Sequence, residues 1–184
     1  MYEIFILSIL MNFPAHAYFI SKIIEPWFKI SRGTLSTLLK KMLSEGYIEY
    51  TNEDIPFKSN HSSQTYKITS LGKERFFSLM LDTTESVNFV KLFHIKANNF
   101  GLLQASDILH LTQDFIKRCH RQQEFLLKQL NKFQNEFDDF DSKHLDTFKK
   151  NASSSIKLQI EQLQTEVNWA EEIKKDVDYD KSTK

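Results

Sequence analysis

The sequence predicts a mainly α-helical protein with a small β-hairpin near its front, and three patterns carry that expectation. First, Leu35, Leu38, Leu39, Met42 and Leu43 recur at helical spacing ahead of Gly46, which marks a short amphipathic helix and its stop. Second, the run 47–50 is rich in aromatic and β-branched residues, the run 64–68 carries such residues in alternation, and the two flank the polar stretch 51–63, the pattern of a hairpin with a long tip. Third, Pro14, Pro26, Gly33, Gly46, Pro56 and Gly72 crowd the front, whereas Gly101 stands alone behind them. Short elements therefore lead and long helices follow. The order of elements is that of an N-terminal winged helix-turn-helix joined to a C-terminal helical dimerisation domain.

The first helix is expected over 2–11, burying Ile4, Leu7, Ile9, Leu10 and Met11, and Pro14 ends it because proline disfavours helix in the residue before it. A second helix over 15–24 carries Tyr18, Ile20, Ile23 and Ile24, with Tyr18 assigned to the core. Pro26-Trp27-Phe28 turns the chain into the third helix, with Trp27 and Phe28 packing beneath it. Gly46 takes the left-handed residue that closes that helix, and the hairpin follows. Thr69 is placed to cap the next helix, which runs through Leu71, Phe76 and Phe77 to Leu81.

Behind position 81 the spacing lengthens. Val87, Val90, Phe93 and Ala97 give one helix face. Ile108, Leu111, Phe115, Cys119, Leu126, Leu130, Phe133 and Phe137 give a long helix, broken at 138–142. Ser153 to Ser155 read as a mobile lead-in to a last helix, and the chain from Asp178 reads as a frayed polar tail. Ile156, Ile160, Leu163, Val167 and Ala170 alternate spacings of four and three, an a/d seam. Such a seam packs either inside the chain or against a second copy. With no third layer evident, the second copy is favoured, through Phe115, Leu126, Leu130, Ile156, Ile160, Leu163, Val167 and Trp169. The expected domains are 1–81 and 82–184.

Lys+Arg and Asp+Glu number 24 each, so bulk charge selects no partner, but its distribution does. From Pro26 to Ser44 there are Lys29, Arg32, Lys40 and Lys41 and no acid, and from Phe57 to Thr69 there are Lys58, His61 and Lys67 and again no acid. Cys119 is the single cysteine, which excludes an internal disulfide and a Cys-based zinc cluster and suits a reducing cytoplasm. The apolar opening stops at Pro14, too short to span a bilayer and without a signal-peptide pattern. No membrane partner is expected. Asp107, His110 and Asp114 share a helix face, yet such triplets are common on solvated helices, and no second histidine pair supports a metal. No Gly-rich phosphate loop and no catalytic constellation are present, so neither an enzyme nor a cofactor is expected.

Duplex DNA is held chiefly through phosphates and read through a few side chains at base edges. Arg32, Thr34, Ser36, Thr37, Lys40 and Lys41 are the candidates on the third helix, against the plainer reading of Lys40 and Lys41 as ordinary surface lysines. Lys58, Asn60, His61 and Lys67 are candidates on the wing, against a polar loop without contacts. His16 either seats the second helix on phosphate or caps that helix.

These residues resemble the PadR family of bacterial transcriptional regulators. Pro14-Ala15-His16-Ala17-Tyr18 is similar to the family's entry to its second helix, Ser31-Arg32-Gly33-Thr34-Leu35 to the start of its recognition helix, and Leu43-Ser44-Glu45-Gly46-Tyr47-Ile48-Glu49 to its exit into the wing. Tyr66-Lys67-Ile68-Thr69-Ser70-Leu71-Gly72-Lys73-Glu74 resembles the second wing strand and the following cap, and Glu166-Val167-Asn168-Trp169-Ala170-Glu171-Glu172-Ile173 the close of the longer C-terminal domain of one subfamily. The chain departs from the pattern at Ala17, where the family commonly has glycine, and at Ser36, where it commonly has a tyrosine that touches phosphate. The resemblance implies a homodimeric repressor on a near-palindromic operator of double-stranded DNA, relieved by a small aromatic effector. The phenylalanines of the rear half, among them Phe89, Phe93, Phe100, Phe115, Phe125, Phe133 and Phe148, supply either an aromatic cavity for that effector or core packing. The competing reading is a winged-helix protein-interaction module that has lost DNA binding.

Overall fold

The computed structural model describes residues 1–26, 29–52, 64–84, 86, 88–135 and 143–182. The chain forms two compact units, Met1–Thr84 with His94–Asn99, and Glu85–Phe93 with Phe100–Lys184.

The first unit opens with α1, Tyr2–Asn12, in which Ile4, Phe5, Ile6, Leu7, Ile9 and Leu10 are all buried. A helix apolar on nearly every side has to sit inside. Two residues, Ala15–His16, form β1, and α2 begins only after them, at Ala17–Ile24. This corrects the expected helix start at 15: Ala15 and His16 pair with Tyr66 and Thr65 of β3, Thr65–Ile68, which takes up backbone groups a helix would have used. Helix α3, Arg32–Ser44, and strand β2, Ile48–Thr51, follow. The sheet is antiparallel in the order β1-β3-β2, with Glu49 opposite Lys67 and Tyr50 opposite Tyr66. Helix α4, Ser70–Leu81, completes a winged helix-turn-helix.

Two junctions explain why the wing stands where it does. After α3 the amide of Tyr47 donates to the Met42 carbonyl at 2.9 Å and that of Gly46 to Leu43 at 3.0 Å, with Gly46 at φ 73°. That pair of bonds is a Schellman close, and the positive φ calls for glycine. At the start of α4, Thr69 Oγ1 accepts from the Gly72 amide at 3.0 Å and donates to the Gly46 carbonyl at 2.6 Å. One hydroxyl thus caps a helix and ties it to the end of α3.

The core of this unit joins α1 to Ile20, Ile24, Leu35, Leu39, Met42, Ile48, Phe76 and Met80. Tyr18 is not part of it: the residue is 63% exposed, a correction to its core assignment. Ile95, Lys96 and Asn99, from the end of α5 (Phe89–Ala97) and the turn after it, are also buried here. The Lys96 ammonium donates to the Asp82 carbonyl and Ser8 Oγ to Asn99 Oδ1, so these buried polar groups are satisfied.

In the second unit a short 3-10 turn, Phe100–Leu102, leads into α6, Ala105–Asn135, which lies antiparallel to α7, Lys143–Ser182. The pairing is read from Gln123, whose side-chain amide donates to the Ile160 carbonyl at 3.2 Å and to Gln164 Oε1 at 3.3 Å, and from Phe133, whose ring centroid lies 6.0 Å from that of Phe148. Ser153 to Ser155 lie inside α7 rather than in a mobile lead-in. Helix also continues past Asp178 to Ser182, where a frayed tail was expected. The expected break at 138–142 lies outside the described residues.

The a/d seam is where prediction and structure part. Leu126, Leu130, Leu163 and Val167 are buried within the single chain, in the contact of α6 with α7, and Ala170 is fully buried. Phe115 is 2% exposed, its ring stacked on Phe93 at 3.8 Å and 2° and tilted against Phe89. Trp169 closes edge-on against Phe93 at 5.7 Å and is half-buried, as are Ile156 and Ile160. These eight residues were assigned to an interface between copies. Phe115, Leu126, Leu130, Leu163 and Val167 instead have almost no surface left to offer one, because α6 and α7 bury each other's leucines and valine and α5 covers Phe115.

Candidate nucleic-acid interface

Helix α3 is set in place by its two faces. Leu35, Leu39 and Met42 are buried beneath it, so residues on the opposite side must point to solvent. Arg32, Thr34, Ser36, Thr37, Lys40 and Lys41 are all exposed. Arg32, Ser36 and Lys40 form one row at i, i+4, i+8, and Thr37 and Lys41 a second beside it. At the N-terminus Ser31 Oγ accepts from the Thr34 amide at 3.0 Å and shares a hydrogen bond with Thr34 Oγ1 at 2.8 Å. The cap thus occupies part of the Thr34 hydroxyl's capacity.

The electrostatics of this face are one-sided. Among the described residues neither Arg32 nor Lys40 has an ion-pair partner. Lys41 Nζ lies 3.7 Å from Glu45 with both side chains well exposed, an arrangement worth little in water and easily exchanged for phosphate. On the sheet, Lys67 Nζ lies 3.5 Å from Glu49, its cross-strand partner, and Lys67 is half-buried. The Tyr50 and Tyr66 rings pack at 5.3 Å on the same pair of strands. Burial, with Tyr50 beside it, pushes the Tyr66 phenol above its ordinary range. Lys58, Asn60 and His61 lie outside the described residues, as do Trp27 and Phe28.

His16 takes the capping role of the two open to it. It is 3% exposed, and its Nδ1 accepts from the Phe19 amide at 3.1 Å. An imidazole enclosed and engaged in this way has little surface for phosphate, so it is removed from the contact set. Tyr18 is the residue that sequence reasoning placed wrongly. Its exposed ring lies on α2 with Lys22 Nζ at 5.9 Å from the centroid, and Lys22 pairs with Glu25 at 3.0 Å. The hydrogen bond to Glu25 holds the Lys22 ammonium above its usual range. The signal was available: Tyr18 is two residues from Ile20, and helical residues so spaced do not share a face.

Among the described residues, no three His, Cys, Asp or Glu side chains gather as a metal site. Of the triplet Asp107, His110 and Asp114, the last is engaged by Arg118 at 2.6 Å. No described helix is long and apolar enough to cross a membrane.

No protein-family model and no curated protein matches the chain. Solved structures do. Bacillus subtilis PadR in complex with operator DNA is 18% identical with a TM-score of 0.41, over 93% of this chain and 94% of that one. The same Bacillus subtilis protein in complex with p-coumaric acid is 18% identical with a TM-score of 0.40, over 96% and 98%. The PadR-like transcriptional regulator BC1756 from Bacillus cereus is 19% identical with a TM-score of 0.39, over 93% and 98%. The chain is similar to PadR and PadR-like regulators. Its winged helix-turn-helix is established separately, by its own element order and sheet.

Proposed function

We propose that this protein is a sequence-specific DNA-binding transcriptional regulator, a cytoplasmic repressor acting as a homodimer on a near-palindromic operator and relieved by a small aromatic effector. One observation carries the reading: the outer face of α3 presents Arg32, Ser36, Thr37, Lys40 and Lys41 together, exposed, on a helix whose other face is locked into the core. Guanidinium, ammonium and hydroxyl groups in rows are what phosphates and base edges accept from. In winged helices of this order such a helix enters the major groove by its N-terminal part. Arg32 and Thr34 then lead, Ser36 and Thr37 follow, and Lys40 and Lys41 hold phosphate. Lys58, Asn60, His61 and Lys67 are assigned to the wing contact. Residues 1–81 are assigned to DNA binding and 82–184 to dimerisation and effector response.

With Phe115, Leu126, Leu130, Leu163 and Val167 buried within the chain, the homodimer contact is assigned beyond them. Phe125, Leu127, Phe148 and Leu158 are large apolar side chains exposed on α6 and α7, and we assign the contact to them.

Fluorescence anisotropy against the gene's own upstream DNA and a scrambled duplex, at two salt concentrations, tests the reading. Preference for the upstream DNA, with affinity falling as salt rises, is the expected outcome. Replacing Lys40 and Lys41 together by Glu lowers that affinity at least about tenfold, with the helical signal unchanged. Equal, weak and salt-insensitive binding to both duplexes would favour the interaction-module reading instead.

A further inference from the structure

The stretch without acidic residues that begins at Pro26 ends at Ser44, and the next residue is Glu45. Its amide donates to the Lys41 carbonyl at 2.9 Å, so α3 closes on it before Gly46 turns the chain away at φ 73°. That geometry sets its carboxylate one helical turn beyond Lys41, with Oε1 3.7 Å from Nζ and the side chains 37% and 63% exposed. A charge-assisted hydrogen bond spans about 2.7–2.9 Å. Arg118 and Asp114, also four residues apart, close to 2.6 Å; Lys41 and Glu45 do not.

Helix stability does not account for a carboxylate in this place. The carbonyl end of a helix carries partial negative charge and favours cations, and lysine four residues ahead of glutamate is the weaker order for such a pair. Nor does Arg75 depend on it. Hydrogen bonding to Glu3, at 2.7 and 3.4 Å, is the chief reason that guanidinium is held above its ordinary range, and Glu45 is the least of the causes. What the carboxylate does face is a lysine of the proposed DNA contact.

We propose that Glu45 competes with DNA phosphate for Lys41 and so sets how tightly the last turn of α3 holds the duplex backbone. The inference rests on the DNA-binding reading above and adds to it a residue that sequence reasoning passed over. In the free protein the carboxylate partly neutralises the ammonium. On the duplex the phosphate takes the ammonium over, and the carboxylate is left facing like charge. Backbone contacts carry no sequence information, so the effect falls equally on operator and non-operator DNA.

The test is fluorescence anisotropy of the native protein and Glu45→Gln against upstream and scrambled duplexes at two salt concentrations. Glu45→Gln binds both duplexes tighter by one common factor, about two- to fivefold at low salt, and the gain shrinks as salt rises. A gain in affinity is not the mark of a misfolded variant. Combined with Lys41→Met, the same change yields less than half that gain, because the contested ammonium is gone. No gain overturns the proposal, and so does a gain undiminished without Lys41, which would make Glu45 one more unit of repulsive charge. A urea midpoint that falls in Glu45→Gln without tighter binding makes it a stabilising residue instead. The two readings fail separately. A native protein that binds neither duplex loses the regulator reading, and this inference with it. One that prefers its upstream DNA, and is indifferent to Glu45→Gln, loses this inference alone.

Discussion

At Gly72 the absence of a side chain is a steric requirement. A Cβ there would lie 2.0 Å from the Tyr47 carbonyl oxygen and 2.8 Å from Ile68 Cγ1. The carbonyl cannot yield, because it also accepts from the Thr69 amide at 3.1 Å. Gly72→Ala should therefore lower stability by about 2 kcal/mol or more, read as a lower urea midpoint. Gly33 is the contrast: a Cβ would find only Ser31 Oγ, at 3.8 Å, so the fold does not demand glycine there. Cys119 supplies a second prediction. Burial, reinforced by the nearby Glu166 carboxylate, pushes its thiol from 9.0 up to about 12. The folded chain holds this proton more tightly than the unfolded chain does. The resulting stability is complete below pH 9 and is lost as the pH rises from 9 towards 12, at up to ~1.4 kcal/mol per pH unit. Below that window iodoacetamide should label Cys119 only after denaturation; rapid labelling of native protein at pH 8 would contradict the burial.

Elements show where local chemistry suffices and where it does not. The Gly46 close and the Thr69 cap were legible because each is decided by residues within one turn of the chain, whereas the Ser31 cap of α3 emerged only in the structure. Strand β1 was not, since Ala15 and His16 become a strand only by pairing with residues some fifty positions away. The α6–α7 seam was legible as a stripe but not as to its partner. An a/d pattern looks the same whether the facing helix belongs to the same chain or to another. The distinction has a measurable consequence. With Leu163 buried against α6, Leu163→Asp should place a carboxylate in the hairpin interior and cost about 3 kcal/mol or more, melting helix in circular dichroism. A variant that merely dissociated into folded monomers would restore the seam to an interface between copies.

For the whole molecule, the correction at the seam moves the proposed dimer contact outward. Phe125 stands two residues beyond Gln123, and Leu158 two before its hydrogen-bond partner Ile160, so in an antiparallel pair they lie at one level. Each is 53% exposed. Phe125→Glu combined with Leu158→Glu should yield monomers in sedimentation velocity with helix content unchanged, because neither side chain supports the hairpin interior. A dimer that persisted would place the contact elsewhere on the chain.

The sequence alone determined the winged helix-turn-helix order, the outward basic and hydroxyl-rich face of α3, the Gly46 close and the Thr69 cap, and the two long helices behind them. These rest on periodicity and on short-range stereochemistry, both written into consecutive residues. Tertiary structure alone decided that His16 is enclosed as a cap and that Tyr18 faces solvent. It also decided that Leu126, Leu130, Leu163 and Val167 are buried within one chain, and that Phe93, Phe100 and Phe115 pack on one another. Burial is a property of what packs against a residue, and its distant partners are not named by its neighbours in the chain.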